Sequence, residues 1–196
     1  MNSRMRFWAG LVCAALVGLG ASASGCGRSS STIELVSYKD PYFPEPYTVE
    51  FSQCAYHVDA YGDYHFVGRA MREPVDGGSG RITQLLYVHL FWKPYPGKTF
   101  ADKTNNDATI RYAIVTDSGV AVYAGTGFVY PKRKWFGSHV VARLERARLR
   151  LESLVGQAPE LLGDARLTGK LVAKQDPNLT VDVRRELELH AAGASR

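Results

Sequence analysis

The chain has 196 residues, 45% of them hydrophobic and 22% charged, with 24 Lys and Arg against 19 Asp and Glu for a formal net charge of +5. This balance excludes a generally disordered or collagen-like chain, and the length suits one domain with an appendage. No run of 18 or more apolar residues occurs, so a multi-span helical membrane protein is excluded as well.

The chain opens with Arg4 and Arg6, continues with an apolar run from Phe7 to Leu19, and then turns to small residues from Gly20 to Gly25. A basic start, a short apolar stretch and a small-residue zone predict a cleaved signal peptide over 1–25. The segment Ala23-Ser24-Gly25-Cys26 resembles the lipobox of bacterial lipoproteins, although Ala23 stands where that pattern prefers Leu. The resemblance covers only the leader. It implies cleavage before Cys26, lipid on the Cys26 sulfur, and a multi-chain anchor of the kind that holds stably to a bilayer. Gly27, rather than Asp, after the cysteine resembles the outer-membrane sorting pattern of Gram-negative envelopes. The implied location is the cell envelope, on the periplasmic side of the outer membrane or the cell surface.

Cleavage leaves 171 residues, and loss of Arg4 and Arg6 lowers the charge to +3. Of three cysteines, Cys13 leaves and Cys26 is lipidated, so Cys54 has no internal partner for a disulfide. Residues 26–31 read as a lipidated cysteine and flexible tether, and 32–196 as the folded domain. An exported chain with no recognisable nucleic-acid module argues against a nucleic-acid partner.

Period-two alternation dominates the body. The segment 56–66 predicts a hairpin centred on Tyr61, with Gly62 in the left-handed position of a three-residue loop. His57 then faces His65, and Val58 faces Tyr64. Tyr56, Val58, Tyr64 and Phe66 point inward, while His57, Asp59, Asp63 and His65 share the outer face. Two imidazoles and two carboxylates on one patch are candidate ligands for a divalent metal. The alternative is a polar, solvated face. No other cofactor is implied. Ser79, in Gly77-Gly78-Ser79-Gly80, lacks the context of a nucleophile elbow or a phosphate loop and reads as a flexible turn.

Further along, Leu86, Val88, Leu90 and Trp92 oppose Tyr87, His89 and Phe91 on a strand with both faces covered. Ile110, Tyr112 and Ile114 lead through Asp117-Ser118-Gly119 to Val120 and Val122, a second hairpin. Residues 140–154 fit a helix or a strand, and their alternating flanks favour strand. From Pro131 to Arg150 there are seven basic residues and one acid, Glu145. Lys132, Arg133, Lys134 and Trp135 head this stretch and are candidate contacts for a membrane or an anionic partner. Loop aromatics, including Tyr42, Phe43, Tyr95 and Phe100, either cap the fold or meet partners such as an envelope protein or polysaccharide. Leu167, Leu171 and Ala173, the turn 175–178, and an apolar row Leu179, Val181, Val183, Leu187 and Leu189 predict a final antiparallel hairpin.

The sum is a mainly β domain, a single antiparallel β-sandwich of about eight or nine strands after a cleaved signal peptide. The expected role is non-catalytic binding or structure at a membrane reached through a lipid anchor. The alternative is a metal-dependent enzyme or metal-binding protein using the 57–65 hairpin.

Overall fold

The computed structural model describes residues 30–72, 80–91, 107–133, 138–158 and 160–192. The leader, Cys26, Ser79, Trp92, Tyr95, Phe100, Lys134 and Trp135 lie outside the described residues. The described chain is mainly β, as the alternation predicts. Its strands are β1 (Ser31–Ser37), β2 (Glu45–Phe51), β3 (Gln53–Val58), β4 (Tyr64–Arg72), β5 (Ile82–Leu90), β6 (Ala108–Thr116), β7 (Gly119–Arg133), β8 (His139–Gly156) and β9 (Ala165–Gln175), followed by helix α1 (Pro177–Ala192).

Where two facing sheets were expected, all nine strands belong to one sheet. β3 through β9 pair in sequence order, and β9 returns to pair with β3. The result is a closed ring of seven strands. Six of its seven contacts are antiparallel. Seven strands that alternate in direction leave the first and last running the same way, so the closing β9–β3 contact is parallel. The β1–β2 hairpin adds to the same side of β9, pairing over Ala165–Lys170 before β3 takes over at Lys174 and Gln175. Ser31 fills the gap between the two: its Oγ accepts the Val172 amide at 2.8 Å and donates to the Val172 carbonyl at 3.3 Å. The exposed edge strand β2 carries Pro46, which cannot donate to a further strand.

Inward-facing side chains fill the ring. Phe66, Leu86, Leu90, Ile110, Tyr112, Tyr123 and Leu144 are at most 1% exposed. In the connection after β8, Leu162 is buried, and its amide donates to the Tyr123 hydroxyl at 3.3 Å. Asp107 enters β6 as a buried acid. Burial pushes its carboxyl up to about 6, against the Val129 amide that it accepts at 2.9 Å.

Residues 139–156 form a strand, as their flanks suggested. The helix-like spacing within it comes from a bulge. Leu144 pairs with Gly169 and Ala147 with Leu167, so Glu145 and Arg146 are set against the single residue Thr168. Arg146 takes a left-handed φ of 54°. Leu144 and Ala147 thus both face inward at a spacing of three. Gly169 pairs across this bulge at φ 152°, where an added Cβ would stand 2.5 Å from the Thr32 carbonyl oxygen.

The expected final hairpin is corrected. Pro177–Ala192 is an α-helix, not a strand. Asp176 caps it, with Oδ1 accepting the Leu179 amide at 3.1 Å, and Pro177 supplies the preset φ of a first helical residue. Val183 and Leu187, four apart, are at most 1% exposed against Ala55, Val67, Leu85, Ala113 and Val122 on the outer wall. Each such burial contributes about 1.5–3 kcal/mol. Val181 and Leu189, expected on the same apolar row, are 54% and 67% exposed. No described helix is long and apolar enough to cross a membrane.

Candidate functional site

The 57–65 hairpin forms in the predicted register. His57 is opposite His65 and Val58 opposite Tyr64. Gly62 takes φ 85°, and the Asp59 amide donates to the Asp63 carbonyl at 3.0 Å. Tyr56 and Phe66 are buried in the interior, while Val58 and Tyr64 pack partly against it. Cys54 also packs against the interior cluster. His57 therefore faces away from it, and no thiolate–imidazole pair forms. Burial pushes the Cys54 thiol up to about 11, so it stays protonated.

β4 lies between β3 and β5, and the β4–β5 register brings in a third imidazole. His65 is opposite His89, so His57, His65 and His89 form a row across three strands. The His65 and His89 rings stack with centroids 4.5 Å apart, and those of His57 and His65 are 6.3 Å apart. Each carboxylate has its own imidazole. Asp59 Oδ2 is 3.2 Å from His65 Nε2, and Asp63 Oδ2 is 3.1 Å from His89 Nε2. Asp59 Oδ1 also accepts the Tyr61 and Asp63 amides at 2.9 Å each, which ties the loop to its own side chain. Imidazoles and turn amides thus occupy the two acids that the sequence offered as metal ligands. Among the described residues no group of three or more His, Cys, Asp or Glu side chains is placed to hold a metal ion.

The bonding fixes where a neutral His65 carries its proton. An ionised Asp59 only accepts, so Nε2 carries the proton. Nδ1 is then the acceptor for the Tyr87 hydroxyl at 2.8 Å. The Tyr87–His65–Asp59 chain suits a neutral imidazole. Burial depresses the His65 pKa first, with the nearby His89 and Arg184 acting the same way and Asp59 opposing them. Burial alone would raise the Asp59 carboxyl, but the Asp63 and Tyr61 amides and His65 outweigh it, and it lies below its ordinary value. Burial raises the Tyr87 hydroxyl. Arg184, on α1, stands 5.9 Å from the Tyr87 ring centre and pairs with Glu188 at 2.7 Å. Arg69 and Glu186 form a second bridge between the wall and the helix. The row presents no activated nucleophile.

His89, Tyr87 and Arg184 were not among the candidate residues. Alternation did place His89 and Tyr87 on one face. The register that sets His89 beside His65 depends on a long connection, which no short turn dictates.

The described part of the basic stretch runs along β7 and β8, whereas α1 packs chiefly on β3, β4 and β5. Lys132 and Arg133 are exposed at the end of β7, opposite Val141 and Val140. Arg143, Arg148 and Arg150 are exposed along β8. Tyr42 and Phe43 are 88% and 74% exposed, so they do not cap the described fold. No protein-family model, curated protein or solved structure matches the chain.

The depressed His65 pKa makes stability pH-dependent. The unfolded imidazole, with an ordinary value of 6.5, binds a proton that the folded one refuses. Stability is therefore full above that value and falls as pH drops through it. NMR titration of the His65 ring should give a midpoint below 6.5. Tyr87→Phe, which removes the donor to Nδ1, should raise that midpoint and cost about 1 kcal/mol. A midpoint at or above 6.5 in the parent protein would contradict the depressed pKa and the pH dependence drawn from it.

Proposed function

We propose that this protein is a lipid-anchored component of a bacterial cell envelope with a binding or structural role and no chemistry of its own. Cleavage after Gly25 and acylation of Cys26 would hold it at the membrane, on the outer membrane where the envelope is Gram-negative. The observation that carries the reading is the placement of the lipobox-like segment Ala23-Ser24-Gly25-Cys26, five residues ahead of the first strand at Ser31. The filled interior of the ring favours partners that meet the outer wall. Metabolic labelling with palmitate and intact mass of protein purified from membranes test the anchor. The parent chain should start at Cys26 and carry acyl mass, and Cys26→Ser should lose both label and partitioning into detergent. A parent protein with no acyl mass, or one cleaved elsewhere, would refute it.

A second reading, a divalent-metal site at His57, Asp59, Asp63 and His65, has one observation in its favour. His57 Nδ1 is buried with no hydrogen-bond partner among the described residues. Metal uptake would require Asp59 and His65 to part. Calorimetry with zinc, copper and nickel should then show binding that His57→Ala abolishes. No heat with the parent protein removes this reading.

A further inference from the structure

On the outer wall of β8 and β9, two like-charged pairs stand directly opposite one another. Arg143 is in register with Lys170, and Arg148 with Arg166. All four side chains are exposed. Directly opposed like charges destabilise a sheet. Nearby acids do little to cancel them. Glu145 is 3.9 Å from Arg143 and Asp164 is 3.8 Å from Arg150, both exposed and screened by water. Glu34 on β1 neighbours Thr168 on the same face. Among the described residues no ion pair reaches Arg148, Arg166 or Lys170.

Each pair opens onto a shallow cleft. One, of about 300 Å³, lies between Tyr38, Arg148, Arg150, Asp164 and Arg166. The other, of about 420 Å³, lies between Ser30, Thr32, Arg143, Glu145 and Lys170. The second cleft matters because of Ser30. Cys26 is four residues earlier, and extended chain reaches at most about 3.6 Å per residue, or about 14 Å in all. If Cys26 carries the acyl chains of the function proposed above, the bilayer begins within that distance of Ser30, which lines the cleft of the Arg143–Lys170 pair. A cationic wall at the root of a short lipid tether fits one occupant best.

We infer that the β8–β9 wall rests on an anionic bilayer, with Arg143, Arg148, Arg166 and Lys170 on phospholipid phosphates. This deepens the anchoring reading, since the lipid holds the chain at the membrane and the charges set which side faces it. Each basic residue close to an anionic surface favours contact about fivefold.

The test uses the full chain purified from membranes, in a Cys54→Ala background with a dye on Thr168→Cys. It is reconstituted into vesicles of phosphatidylcholine, with and without phosphatidylglycerol, that carry a headgroup quencher. Quenching should at least double in the anionic vesicles. It should return to the neutral level in about 1 M salt, where screening shortens to about 3 Å, without any change to the fold. Joint replacement Arg143→Glu, Arg148→Glu, Arg166→Glu and Lys170→Glu should do the same. Equal quenching in both vesicles, or quenching indifferent to salt, overturns the inference. Dextran sulfate shielding the dye when anionic vesicles do not would assign the wall to a soluble polyanion and overturn it too. Intact mass of the same sample reports the anchor separately. Absent acyl mass with composition-dependent quenching removes the anchor and keeps the wall, and acyl mass without that dependence does the reverse.

Discussion

The pairing of β9 with β3 is the shortest ladder in the ring, two residue pairs at Ala55–Lys174 and Tyr56–Gln175, and it joins the two ends of the wall. Its parallel sense follows from the odd strand count. Its shortness follows from the β1–β2 hairpin, which occupies the rest of that side of β9. A strand with a partner on both sides exposes no template for another chain. β9 reaches that state only because Ser31 satisfies Val172 at the junction and Gly169 lets the β1 backbone pass close by. With the ring closed, inward residues pack against one another.

The same strand sets what the outer wall presents. β9 ends at Gln175, and the Asp176 amide donates to the Tyr56 carbonyl at 3.0 Å, next to the closing ladder. That bond starts α1 against β3, β4 and β5. Small residues at Ala55 and Ala113 leave room for Val183 and Leu187. The helix then carries Arg184 to Tyr87, beside the histidine row. On the other flank β9 pairs with β8, and the register there aligns Arg148 with Arg166 and Arg143 with Lys170. One wall is partly covered by α1 and ties its charged side chains into pairs. The other is open and sets like charges opposite one another.

Local features were legible in the sequence, and those set by distant pairing were not. The 57–65 hairpin could be read because a three-residue loop with Gly62 permits one register. β8 could be read as a strand, but its bulge at Glu145–Arg146 imitated helical spacing. α1 was misread because Leu179, Val183 and Leu187 are four apart, and four is a multiple of the strand period as well as close to a helical turn. The signals against a strand were Asp176-Pro177, a helix start, and Arg185 in the apolar row. Ring closure left no trace in any single segment, so the strand count suggested two sheets instead. His89 escaped notice for the same reason. Asp59 was read as a metal ligand or a solvated acid, although an aspartate three residues before a left-handed glycine commonly accepts backbone amides.

Native-state hydrogen exchange tests the closed ring most directly. If β9 is held on both sides, the amides of β3, β8 and β9 should open only with the global unfolding of the ring, at the same free energy as those of β4, β5 and β6. β2, at the free edge, should exchange sooner. Sub-global opening of β9 and β3, with β4–β6 still protected, would show an open sheet and contradict the account.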